Sequence, residues 1–277
     1  MHLNLFCIIN KVKKLSFLYS VFVVILVACD FSMPKLVSHD PVDSLKIQRY
    51  DRVESRYLTT GDFAALQEMN TVYPTQTRAL IEDLLKLGSV SDPDINKRLL
   101  DFYQDSTLQN VIYAAESEFA DMTDINEGIR KSFEKLVKEV PGLQIPTFYA
   151  QIGSFDQSIV VDDKAIGISL DKYLGKNYPT YLRFYDEEAR ESMSREYIVH
   201  DCIIFYLLSQ YPVSRFEGLS QQARDMNLGK FFYAANYLTG RKLLETPSSK
   251  TIEQFMKKHP SFTLAQLLAL QDIMMLL

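Results

Sequence analysis

Apolar positions fall into three patterns along this chain, and each predicts a different kind of element. Residues 15–28, "LSFLYSVFVVILVA", form one unbroken apolar run. Between residues 43 and 142 the apolar residues instead recur at the i, i+3, i+4 spacing that gathers them on one face of a helix. Helices are expected in "DSLKIQRYDRVESRYL", in "TGDFAALQEMNTVYP" with a stop at Pro74, and in "TQTRALIEDLLKLGS" ending at Gly88. "SDPDINKRLLDFYQD" opens with a capping residue and a proline in its first turn, and "NEGIRKSFEKLVKEVPG" closes at Pro141 and Gly142.

After Gly142 the period shortens to that of strands. "IPTFYAQI" (145–152), "QSIVVD" (157–162) and "KAIGISLD" (164–171) are short, β-branched and aromatic, with turn-like "GSFD" and "DDK" between them. They predict a small antiparallel sheet. A tyrosine-rich loop, "DKYLGKNYPTYLRFY" (171–185), follows, and helices resume near Glu187. Residues 198–208 are apolar nearly all round, which predicts a helix buried at the centre. A second such helix is expected over 228–245, and two short helices finish the chain. The fold class is therefore α+β and predominantly helical: a helical framework around a small antiparallel sheet and a buried central helix, in one globular domain over 42–277.

The first 28 residues are of another kind. Three lysines and no acid precede the apolar run, the order of an export signal. The run's fourteen residues reach only about 21 Å as a helix, short of a hydrocarbon core of about 30 Å, so cleavage is expected over a permanent span. The run ends in "LVAC", residues 26–29, which resembles the lipobox of bacterial lipoproteins. That resemblance implies a diacylglyceryl group on the Cys29 thiol, cleavage before Cys29, and a tether over residues 29–41; the alternative is a buried cysteine ending an uncleaved anchor. Several acyl chains, at about 0.8 kcal/mol per buried CH2, hold a protein durably on a membrane. The expected location is the periplasmic side of the inner or outer membrane.

Losing the three lysines moves the net charge from −5 to −8. An acidic chain with no basic cluster does not suit nucleic acid, whose phosphates demand positive charge. Of the three cysteines, Cys7 leaves with the signal and Cys29 carries lipid, so Cys202 has no partner for a disulfide and reads as a small core residue. At 47% hydrophobic and 12% aromatic content, 277 residues are enough to build the core that must replace disulfides.

Five stretches, "LKIQRYDRV", "PTFYAQIGSF", "IGISLDKYLGKNYPTY", "MSREYIVHD" and "LGKFFYAANYL", are similar in this order to the gliding motility-associated lipoprotein B family of Gram-negative envelopes. The resemblance runs from Leu45 to Leu238 and is most specific in "IGISLDKYLG" followed by "REYI". It implies an anchored envelope protein with protein partners, serving gliding motility and associated secretion. The family in turn resembles zinc metallopeptidase-like domains in layout, a small sheet followed by a long central helix, an analogy of fold that licenses no activity.

A working site of that kind needs "HExxH", because residues four apart share a helix face and both reach one zinc. Here His200 and Asp201 fill the first two places, but the second histidine position is Ile204, and an aliphatic side chain cannot ligate zinc. His39 and His259 lie in the tether and the tail, and nothing in the spacing selects Glu217, Asp225 or Glu245 as a third ligand. His200 and Asp201 thus read as a degenerate motif at the start of a buried helix, where the helix dipole favours a carboxylate. No catalytic residue, metal or cofactor is expected.

Other motifs are weaker. No "GxSxG" or phosphate-binding glycine loop is present. Asp156, Asp162 and Asp163 lack EF-hand spacing and read as turn residues. The tyrosine-rich loop is read two ways: Asp171, Tyr173, Tyr178 and Tyr181 form an interaction surface positioned by Asp171, or the rings cover the sheet. The leading expectation is a non-catalytic assembly component, with a divergent zinc peptidase and a ligand-binding module as rivals.

Overall fold

The computed structural model describes residues 45–276 apart from 163 and 272. The signal, Cys29, the tether and Asp163 lie outside these residues. The described part begins with helices whose ends follow from local chemistry. Helix α1 (Tyr50–Thr60) stops at Gly61, whose φ of 68° is a left-handed cap that favours glycine. Helix α2 (Phe63–Thr71) starts at Asp62, whose carboxylate accepts from the Ala64 N–H. Pro74 does more than end α2: it takes the first position of α3 (Pro74–Arg78), which runs on into π-helical Ala79–Leu84. Helices α4 (Ile95–Tyr103), α5 (Ser106–Glu118) and α6 (Thr123–Glu139) complete this half.

Three strands follow: β1 (Thr147–Gln151), β2 (Ile159–Val161) and β3 (Ala165–Ser169). The expected antiparallel sheet is corrected to a mixed one in the order β1-β3-β2. β2 and β3 form the antiparallel pair, while β3 lies parallel to β1 with Phe148 opposite Ile166. The reason is connectivity: the chain leaves β1, runs to the far edge as β2, and turns back into the gap between them. Gln48 pairs with the other edge of β1, through its N–H to the Phe148 carbonyl at 2.8 Å and its carbonyl from the Ala150 N–H at 2.9 Å.

The second half is helical again. A 3-10 turn (Leu170–Lys172), α7 (Pro179–Phe184) and α8 (Glu187–Glu191) lie where a loop and the start of helices are expected. The central helix α9 (Ile198–Gln210) buries Ile198, His200, Cys202, Ile203, Ile204, Tyr206 and Leu207, positions on nearly every side of it. It packs on α6, on β2 and β3, and on α10 (Gln221–Thr239). The second apolar helix does not reach Glu245, because Gly240, at φ 69°, ends it. Helices α11 (Pro247–Lys258) and α12 (Leu264–Ala269) close the chain, each opened by a capping box from Thr246 or Thr263. One connected apolar core joins the sheet and the helices other than α3, α7 and α8. Each fully buried Leu, Ile or Phe in it contributes about 1.5–3 kcal/mol.

Candidate functional site

The chain leaving β1 is the anchor of this site. Residues 152–155 bend away from the sheet, and Phe155 sits at φ 67°, a left-handed conformation costly for a residue with a side chain. Polar side chains from three elements hold it. Asp171, from the 3-10 turn, accepts from the Gly153 N–H at 2.6 Å through one oxygen and from the Phe155 N–H at 2.7 Å through the other. Glu54 of α1 accepts from the Ile152 N–H at 2.9 Å, and the Tyr103 hydroxyl of α4 donates to the Ile152 carbonyl at 2.6 Å. Glu54 and Asp171 are both wholly buried. Burial pushes the Glu54 carboxyl well above the usual carboxylate range, opposed by its bond to Ile152. Its other oxygen, Oε1, has no hydrogen-bond partner. Burial also raises Asp171, against the pull of the Phe155 and Gly153 amides.

The tyrosines pack inward around the same turn. Tyr181 is fully buried, its hydroxyl donating to the Asp171 carbonyl and accepting from the Leu174 N–H at 3.1 Å. Its ring meets Phe155, Tyr178 and Tyr185 edge-on. Tyr173 is buried as well. Asp171, Tyr173 and Tyr181, read from the sequence as part of an interaction surface, are buried, with their polar atoms bonded to backbone and to Asp201. Tyr178 alone of the four is half-buried, lining an open cleft with Lys176, Asn177 and Tyr197.

At the start of α9 the degenerate motif is split. His200 and Asp201 are successive residues, about 100° apart around the helix, and they face different neighbours. His200 Nε2 lies 3.1 Å from the Arg241 carbonyl and 2.9 Å from Thr239 Oγ1, at the end of α10. A carbonyl can only accept, so Nε2 carries the proton, and the buried Nδ1 has no partner. Burial lowers the His200 pKa, keeping the ring neutral. Asp201 faces the sheet side instead, accepting from the Tyr173 hydroxyl at 2.7 Å. Burial pushes its pKa up to about 6. The expectation that the helix dipole governs this carboxylate is thus outweighed by desolvation. Ile204 is buried one turn on, and no group of three or more His, Cys, Asp or Glu side chains converges among the described residues. Cys202 is fully buried and its thiol is raised by desolvation, as a packed core residue requires.

Asp201, Tyr173 and Lys172 share a cavity of about 200 Å³ with Ser158, Tyr185, Ala189, Ser192 and Met193. A larger cavity, about 540 Å³, lies between α10 and α11, walled by Tyr233, Tyr237 and Met256 and rimmed by the Lys242–Glu253–Lys257 ion pairs. Of the residues weighed from the sequence it holds Glu245, one of the unselected third-ligand candidates.

The profile of the family described as gliding motility protein GldB matches residues 32–240, about three quarters of the chain. The chain belongs to the GldB family. Among curated proteins and solved structures, none matches it. The GldB match takes in the sheet, the Asp171 turn, α9 and α10, and it ends at Gly240, the residue that terminates α10. Helices α11 and α12 lie beyond it, in agreement with a resemblance read from Leu45 to Leu238. No helix among the described residues is long and apolar enough to cross a membrane.

Glu54, Tyr103 and Lys172 were not legible as site residues. Glu54 did leave a trace: it stands on the apolar stripe of α1, between Val53 and Tyr57, where a carboxylate has no solvent. Tyr103 and Lys172 leave none, because their partners lie 49 and 17 residues away in sequence.

Proposed function

We propose that this GldB-family chain is a lipid-anchored envelope protein that acts without catalysis, as a structural or assembly component of a gliding-motility machine. The family match over most of the mature chain carries this reading. The geometry of α9 supports its non-catalytic part. His200 spends its Nε2 proton on the Arg241 carbonyl and faces α10, Asp201 faces Tyr173, and Ile204 stands where a second histidine would ligate. These side chains fasten helices to one another. Anchoring through Cys29 would leave the folded domain tethered beside the membrane, with the cleft at Tyr178 as the surface offered to an envelope protein.

Crosslinking in living cells of the native host, followed by mass spectrometry of what the full chain captures, tests the assembly role. Reproducible recovery of motility or secretion components, reduced when Tyr178 and Asn177 are replaced, is the expected result. Recovery of abundant membrane proteins only would sink it. The divergent-peptidase reading is tested separately by metal analysis of the purified chain, where near-stoichiometric zinc lost on His200→Ala would displace the scaffold reading.

A further inference from the structure

The cavity beside the central helix holds two opposite charges that do not meet. Asp201, in the first turn of α9, lines it on one side, and Lys172, on the 3-10 turn after β3, lines it on another. Each is oriented by neutral groups. The Tyr173 hydroxyl donates to Asp201 Oδ2 at 2.7 Å. Lys172 Nζ donates to the Phe155 carbonyl at 3.1 Å and to the Tyr185 hydroxyl at 3.3 Å, with the Tyr185 ring centroid 4.6 Å away. Among the described residues no ion pair joins the two, and the hydrogen bond given to the Asp201 carboxylate falls on Oδ2. An ammonium carries three donors, and two of those of Lys172 are used. One carboxylate oxygen and one ammonium hydrogen are thus left over on two residues that line the same small space.

That arrangement selects for a ligand. A carboxylate held away from bulk water is costly unless it is paired, so Asp201 gains from a cation brought to it, and the remaining donor of Lys172 can take an anion. A simple cation would satisfy Asp201 and be repelled by Lys172; a simple anion would meet the reverse. A molecule with an ammonium at one end and a carboxylate at the other satisfies both. Ala189 and Ser192 border the space with short side chains and leave it unfilled. At about 200 Å³ the cavity holds several waters' worth of volume, at roughly 30 Å³ each, which is room for a small molecule and little more.

We propose that this cavity binds a free α-amino acid with a small side chain, its ammonium group on Asp201 Oδ1 and its carboxylate on Lys172 Nζ. Tyr173 and Tyr185 act as positioning residues, holding the Asp201 carboxylate and the Lys172 ammonium through their hydroxyls. The site requires no catalysis and does not depend on the assembly role, so either can fail alone.

Isothermal titration of the full chain in detergent with glycine, L-alanine and D-alanine tests it, with methylamine and acetate as single-charge controls. Saturable binding of at least one of the three amino acids at one per chain is expected, at least tenfold tighter than either control. Lys172→Met and Asp201→Asn should each weaken it more than tenfold, and Ser192→Phe, which fills the cavity, should abolish it. Lys176→Met, outside the cavity, should leave it unchanged. A thermal melt of each variant identifies any that fails to fold, and the remaining variants then carry the comparison. No saturable binding of any of the three amino acids overturns the proposal. So does methylamine binding as tightly as the best amino acid, which would mark a cation site, or full binding by a folded Lys172→Met variant.

Discussion

At Asp201 two effects of opposite sign act on one carboxyl. The first turn of α9 favours its charged form by about 0.3–1 kcal/mol, while burial favours the neutral form and carries the pKa from 3.8 to about 6. The folded chain therefore binds this proton more tightly than the unfolded chain does. The resulting stabilisation is complete below about pH 4 and is lost as pH rises through 6, on the order of 3 kcal/mol over that window. Tyr173, Lys172, Tyr185, Tyr197 and the neighbouring Cys202 are titratable groups about it. Asp201→Asn keeps an acceptor for Tyr173 and removes the charge. Melts of the two proteins should coincide near pH 3, with the variant the more stable by pH 7.5; equal melts at both would mean that Asp201 is not desolvated. Asp171 makes a stricter demand, since both its oxygens accept from backbone. Asp171→Asn turns an amide donor toward one of those N–H groups and should cost about 1–3 kcal/mol, read as a lower denaturant midpoint at unchanged slope.

Among elements, the sheet depends most on a position without a side chain. Gly167 in β3 lies under the Tyr149 ring, and a Cβ there would meet the ring and its hydroxyl at 2.5 Å. Tyr149 is itself buried and wedged edge-on against Tyr50, so it has nowhere to move. Gly167→Ala should therefore destabilise the protein by about 1–3 kcal/mol, and more than an alanine at Gly218, where nothing stands within 4 Å; near-equal chemical denaturation of the two would refute the wedge. The elements also show what a linear pattern conveys. Three strands and most helices were legible because each follows from its own neighbours. Helix α5 has no counterpart among the expected elements although Leu108, Val111, Ile112 and Ala115 carry the helical spacing, and α10 ends short of the expected Glu245 because Gly240 stops it. The parallel pairing of β1 and β3 had no local mark, since it records where β2 sits.

For the whole molecule, the N-terminal chemistry and the folded domain make separate predictions. If Cys29 carries the lipid, Cys29→Ser abolishes acyl labelling of the chain and moves it from the membrane fraction to the soluble one; persistent label would point to another anchor. The sequence alone determined the family, since its motifs run in order from Leu45 to Leu238 and the profile match spans residues 32–240. It also determined the helical class, the three strands and the buried central helix, because periodicity and capping act over a few residues. It showed that His200 and Asp201 lack a second histidine, for that is a matter of spacing on one helix. Only the tertiary structure decided where these groups point and what they meet. It turned Asp171, Tyr173 and Tyr181 inward, joined Glu54 and Tyr103 to the turn after β1, and set Lys172 and Asp201 across one cavity. Those contacts link residues far apart in the chain, and desolvation, which sets their charge states, exists only once the core has closed around them.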